Sequence, residues 1–140
     1  MMKKKIFRVI ALSLSVLIII IGITLSLFYV LNNGNPITKY IADKKVPTYL
    51  SEKGYAEEEI NESHFIEPKH TINRKFFHGH YRVVFKDETD ITYYYGITKI
   101  GNKVKQFCEK DKLTPAGITE IVQDETKHSE KNCTNSLNRY

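Results

Sequence analysis

Charge is missing from one stretch of this 140-residue sequence. Between Val9 and Leu31 none of 23 residues is charged; 18 are apolar and the others are Ser13, Ser15, Gly22, Thr24 and Ser26. The run Ile18–Ile21 leaves no polar face, which excludes an amphipathic helix laid on a soluble core. There is no tryptophan, and neither of the two cysteines follows the apolar run closely, which argues against a lipoprotein anchor. No Ala-x-Ala pattern ends the run, and the run is longer than the apolar region of about 7–15 residues in a cleavable signal. Gly-x-Ser-x-Gly, His-Glu-x-x-His and phosphate-cradling Gly-rich loops are all absent, so the elbow, zincin and P-loop chemistries have no footing. No internal repeat is visible.

What is present gives the missing charge a meaning. As a helix, 23 residues span roughly 34 Å, enough for a hydrocarbon core of about 30 Å. Lys3, Lys4, Lys5 and Arg8 precede the run, and Lys39, Lys44 and Lys45 follow less densely. The positive-inside rule then puts the N-terminus in the cytoplasm. We read residues 1–8 as a cytoplasmic basic segment, 9–31 as an uncleaved transmembrane signal-anchor helix and 32–35 as a linker. A cleaved secretory signal is the rival reading; both export the remainder. The formal net charge of +5 also divides. Removing residues 1–31 takes four basic side chains and no acidic one, leaving 17 basic against 16 acidic. That near-neutral remainder argues against a nucleic-acid partner, which needs a clustered basic face.

Along the exported part, Asn35 as N-cap and Pro36 as first helical residue open a second helix. Its apolar trios Ile37, Tyr40, Ile41 and Val46, Tyr49, Leu50 point in nearly opposite directions, which predicts a break near Val46–Pro47, with Gly54 capping the end. The period then changes to two. Phe77, Gly79, Tyr81, Val83 and Phe85 form one strand face and His78, His80, Arg82 and Lys86 the other. Asp87–Asp90 is read as a turn, Ile91–Lys99 as the next strand, and Lys103–Glu109 as a third after a turn at Gly101–Asn102. A weaker strand is expected within Ile60–Ile66. Thr114–Asp124 fits a helix and a strand equally well. The expected fold class is α+β: a helix on a three- to four-stranded antiparallel sheet over residues 36–124, then a loose polar tail over 125–140.

The charged N-terminal region, the apolar run and the segments Asn35–Tyr55, Tyr81–Ile97 and Gly101–Asp111 together resemble an uncharacterised bacterial family, domain of unknown function 3139. Lys53-Gly54-Tyr55 and Tyr93-Tyr94-Tyr95 are its most recognisable pieces. The similarity covers residues 1 to about 112. It implies a short single-pass envelope protein of low-GC Gram-positive bacteria with a small exported α+β domain, and it implies no activity.

Candidate chemistry is sparse. His78 and His80 would share a strand face, with His64 or His70 supplied by a neighbouring strand; a zinc site needs three or four such ligands, and Arg82 on that face opposes a cation. Solvated polar histidines are the preferred reading, so no metal ligand is assigned. Cys108 and Cys133 are candidates for a disulfide in an oxidising compartment, and a buried free Cys108 is the alternative. Glu57–Glu59 reads as a solvated acidic turn. Tyr40, Tyr49, Tyr55, Tyr81, Tyr93, Tyr94 and Tyr95 are many for so small a domain, and Tyr94 is expected to point away from the helix, where tyrosine serves contact surfaces. No catalytic or cofactor-binding residue is assigned. The function expected is a non-enzymatic binding module at the cell envelope, with the membrane and another envelope protein as partners; the alternative is an anchored or secreted accessory protein that takes a metal or small ligand on the His78/His80 face.

Overall fold

The computed structural model describes residues 2–69 and 73–137. The chain divides into two units, one ending at Asn35 and the other beginning at Pro36. The first is a single helix, α1, Met2–Asn33. Its stretch Lys4–Leu31 is long and apolar enough to cross a membrane; an 18-residue window within it has a mean hydropathy of 2.7, and none of that window is buried inside the protein. Three of its hydroxyls turn inward on the backbone: Ser13 donates to the Ile10 carbonyl, Ser15 to Ala11 and Thr24 to Ile20, each at 2.9 Å. Such bonds satisfy the polar atoms without water, as a lipid-compatible helix requires.

The second unit begins with α2, Pro36–Glu52, which runs through Pro47 unbroken. The expected break is therefore a correction, and the burial pattern gives its reason. Only Thr38, Ala42, Val46 and Leu50 are buried, one row at every fourth residue. Ile37 and Tyr40 are each 68% exposed, so the two apolar trios never compete for one side. Pro47 sits on the exposed flank, where water reaches the carbonyl that the missing N–H cannot serve. The helix ends in a Schellman motif at Gly54 (φ 93°): Tyr55 N–H donates to Leu50 and Gly54 N–H to Ser51.

A one-turn helix at Glu57–Glu59 leads into six strands: β1 Ile60–Ile66, β2 His80–Phe85, β3 Glu88–Ile97, β4 Val104–Gln106, β5 Lys110–Leu113 and β6 Thr119–Val122. All pairings are antiparallel, in the order β1-β2-β3-β5-β6, with β4 also on β3. The α+β class stands, with more strands than expected. The single third strand is interrupted at Phe107–Glu109, so β4 pairs with Tyr95–Ile97 and β5 with Ile91–Thr92. The ambiguous segment turns at Thr114–Gly117, where Gly117 N–H meets the Thr114 carbonyl, and returns as β6. The β2–β3 turn is also tighter than expected, since β3 already begins at Glu88.

Alternation divides the sheet into two faces. Tyr81, Val83, Phe85, Ile91, Tyr93, Tyr95 and Ile97 pack with Ala42, Val46 and Leu50 beneath α2. Each such large side chain, fully buried, contributes roughly 1.5–3 kcal/mol. On the other face Phe76 and Phe107 meet edge to face, centroids 5.0 Å apart, with Tyr94 beside them. They lie directly over Gly96. A Cβ there would stand 2.3 Å from Phe107 Cζ and 2.8 Å from Phe76 Cδ1.

Residues 125–137, expected as a loose tail, are packed onto both faces. The His128 ring stacks on Phe85 at 3.9 Å, and His128 Nε2 lies 2.8 Å from Asp87 Oδ1. Tyr49 of α2 donates to Glu130 at 2.7 and 2.8 Å. Thr134 N–H donates to the Gln106 carbonyl, Cys108 N–H to the Thr134 carbonyl, and Cys108 is disulfide-bonded to Cys133 with Cα atoms 5.0 Å apart. The Lys110 ammonium, in a residue only 2% exposed, donates to the carbonyls of Asp124 (2.7 Å) and Cys108 (3.4 Å) and to Ser129 Oγ (3.0 Å). Burial pushes its pKa down, and these three acceptors hold it charged in place. The segment is polar because its side chains are hydrogen-bonding partners of the sheet.

Two outcomes are expected. Gly96→Ala should cost about 1–3 kcal/mol, since the Phe107 and Phe76 rings must give way, and chemical denaturation of the full chain in neutral micelles checks it. Asp87, bonded to Lys127 and then His128, has its pKa lowered from 3.8 to about 2. A depressed carboxylate stabilises the fold fully above its unfolded value and loses that contribution as pH falls through the folded one. Stability should therefore drain between about pH 4 and pH 2, and Asp87→Asn should flatten that part of the profile.

Candidate functional site

The face of the sheet away from α2 holds a cleft of about 470 Å³. Its floor comes from the first residue of β2, His80, and from Tyr94 of β3, whose rings lie 5.7 Å apart. Ile66 and Pro68 at the end of β1, Ile121 of β6 and Leu137 form apolar walls, and Glu109 and Asp111 bring carboxylates to one side. Alternation explains the floor: with Tyr81 and Tyr95 under the helix, His80 and Tyr94 must face the other way.

The tyrosine hydroxyl and the two carboxylates of the cleft are held by hydrogen bonds. Tyr94 Oη donates to Asp111 Oδ2 at 2.7 Å. Glu109, 8% exposed, accepts Ser136 N–H at 2.8 Å and the Gln123 amide at 3.4 Å. The His80 ring packs on Phe107, centroids 4.8 Å apart. Burial first, then the bonded Asp111, raises the Tyr94 pKa well above 10.0, so its hydroxyl stays a donor. Apolar walls around a few oriented polar groups suit a ligand or peptide that offers an apolar side chain beside a hydrogen-bonding group.

The residues singled out from sequence are distributed otherwise. His78 precedes β2, is exposed, and sets Nδ1 2.5 Å from Glu67 Oε1, whereas His80 is buried. The two therefore do not present one open ligand face. His64 lies exposed on β1 beside Glu62, and His70 falls outside the described residues. Among the described residues no three His, Cys, Asp or Glu side chains converge as a metal site would require. Tyr94 does face away from α2, but half-buried in the cleft floor. Tyr49, Tyr55, Tyr81, Tyr93 and Tyr95 belong to the helix-side core, and Tyr40 is exposed. Sequence reasoning missed Glu109, Asp111, Ile121, Ser136 and Leu137 as site residues; a lone apolar Leu137 among polar neighbours and the apolar Ile121–Val122 pair were their only signal.

With this geometry in hand, the chain can be set beside known families. Residues 4–95 match the family described as a protein of unknown function, DUF3139. The chain belongs to that family. The match covers α1, α2, β1, β2 and most of β3, and it stops short of the span to residue 112 that the sequence resemblance implied. No curated protein and no solved structure matches the chain.

Six tyrosines of the second unit, Tyr49, Tyr55, Tyr81, Tyr93, Tyr94 and Tyr95, have raised pKa values. Burial leads in Tyr49, Tyr93, Tyr94 and Tyr95, and the bonded carboxylates Glu130, Glu88 and Asp111 add to it in the first three. Groups with raised folded values stabilise fully below their unfolded value of 10.0, and that contribution is lost as pH rises beyond it. Urea denaturation should therefore show stability falling above pH 10, and Tyr94→Phe should reduce that slope by the equivalent of roughly one proton.

Proposed function

We propose that this chain is a single-pass membrane protein whose second unit works as a non-enzymatic binding module on the outer face of the cell envelope, with another envelope protein as its partner. The single observation that carries the binding role is the cleft on the sheet face away from α2. It offers apolar walls, a buried histidine and tyrosine as floor, and carboxylates already fixed by hydrogen bonds. A group meant for proton transfer needs freedom to change partners. Here Asp111 and Glu109 are tied to Tyr94 and to the Ser136 backbone, which suits recognition better than catalysis.

The location rests on separate support. Lys3, Lys4, Lys5 and Arg8 precede the apolar stretch, which favours a cytoplasmic N-terminus and an exported second unit. The Cys108–Cys133 bond fits an oxidising compartment. The length of α1 and the missing small-residue cleavage pattern favour an anchor that is retained.

A photo-reactive residue placed at Ile121, 74% exposed on the cleft wall, should capture one partner in growing cells. The adduct should stay in the membrane fraction and contain the intact chain. The same residue at Ile100, 91% exposed on the turn before β4, should capture nothing comparable. Equal capture at both positions, or none at either, would remove the cleft as the binding site; an adduct lacking residues 1–31 would remove the anchor.

A further inference from the structure

A second concavity, about 820 Å³, runs between α2 and the hairpin that joins β3 to β4. Lys44, Lys45 and Lys53 line it from the helix and its end, Lys103 and Lys105 line it from the hairpin, and Glu52 is its one acidic residue. Among the described residues, Lys44, Lys45, Lys103 and Lys105 form no ion pair; Lys75, Lys86, Lys112 and Lys131 share that state elsewhere in the unit, and what sets the first four apart is that they line one concavity. Lys53 is only loosely engaged, 3.8 Å from Glu130 and 5.3 Å above the Tyr49 ring. The acids gather across the helix instead, where Glu57, Glu58 and Glu62 line a separate groove. Helix α2 thus separates a basic groove from an acidic one.

Ammonium groups that outnumber the carboxylates around them repel one another and focus a positive potential into the groove between them. An arrangement of that kind is complementary to an anion. The charges come from two opposed walls, so one small anion leaves most of them unserved, while a chain of anions lying along the groove meets them in turn. Lysine ammoniums, point charges on flexible stems, suit successive phosphates better than a single planar carboxylate. Tyr49 is the one aromatic residue of the groove, and the Lys53 ammonium already covers its ring, so stacked bases find no platform.

We propose that this groove binds a flexible polyanion with closely spaced phosphate groups, with Lys44, Lys45, Lys103 and Lys105 as the contacting residues. The proposal goes beyond the cleft reading and does not depend on it.

The test uses the full chain in neutral detergent micelles and fluorescently labelled inorganic polyphosphate as probe, read by anisotropy across a salt series. Binding should weaken with salt, and four contacts should contribute a slope of about −3 in log K against log salt. Replacing Lys44, Lys45, Lys103 and Lys105 together by Gln should weaken binding at least about tenfold and remove that share of the slope. A control with Lys75, Lys86, Lys112 and Lys131 replaced by Gln removes the same charge from elsewhere and should stay within about twofold of the parent. Matched melting curves for both variants separate binding from folding. Equal losses in the two variants, or no binding by the parent, would overturn the proposal. So would tighter binding of single-stranded DNA or of vesicles containing anionic phospholipid, which would hand the groove to another class of partner. Salt-sensitive self-association without polyphosphate binding would assign it to a second copy of the chain.

Discussion

One buried side-chain amide fixes the C-terminal segment, residues 125–137. Gln106 is 1% exposed; its Nε2 donates to Tyr95 Oη at 3.0 Å and to the His128 carbonyl at 2.8 Å, while its Oε1 accepts Glu130 N–H at 2.7 Å. Leaving any of these buried groups unpaired costs about 1–3 kcal/mol, so the segment has one register against β4 and no cheap alternative. Much follows from that register. His128 reaches Phe85, Glu130 reaches Tyr49 on α2, Cys133 comes opposite Cys108, and Ser136 arrives at Glu109. The disulfide closes a separation of 25 residues, worth roughly 3 kcal/mol in the chain-entropy view. Amide and disulfide work on one constraint from two sides: the bridge limits where the segment can go, and the amide selects the register it takes.

Burial written as alternation could be read before any coordinates. Tyr81, Val83, Phe85 and Ile91, Tyr93, Tyr95, Ile97 mark the covered face because a strand repeats every two residues and the core accepts only apolar side chains. Helix α2 resisted the same reading. Its buried row includes Thr38 and Ala42, weak markers of an apolar face, while Ile37 and Tyr40 advertise a face that stays in solvent. The C-terminal segment resisted it more. Its role rests on hydrogen bonds to residues 24–81 positions away, such as Gln106 and Tyr49, and no local pattern records those. The candidate cleft falls between these cases. His80 and Tyr94 follow from strand parity, but Asp111, Ile121 and Leu137 join them only through pairings that local sequence does not determine.

Charge shows how an average conceals an arrangement. Beyond residue 31 the chain carries 17 basic and 16 acidic side chains, which alone describes an ordinary surface. Folding sorts them. Lys44 and Lys45 lie far in sequence from Lys103 and Lys105, and the hairpin brings the two pairs to one groove, while Glu57, Glu58 and Glu62 collect across α2. Composition argues against a nucleic-acid partner, but it does not record where folding gathers the lysines.

The family match ends at Tyr95, yet the scaffold it covers could not close by itself. Strand β3 has β2 on one edge; its other edge would be left bare without β4 and β5, and Gly96 would lie open without Phe107. Residues 96–137 are therefore needed to complete the sheet, and both concave surfaces form along the seam between the two parts. The cleft takes His80 and Tyr94 from the matched part and Asp111, Ile121 and Leu137 from the rest. The basic groove takes Lys44 and Lys45 from one and Lys103 and Lys105 from the other. Neither surface borrows Val46, Val83, Phe85 or Tyr93, which are fully buried beneath α2. Tyr49 and Val104 line the basic groove and also pack against the helix-side core; the other wall residues of the two concavities lie outside that core, so they can change without disturbing the packing that holds the helix to the sheet.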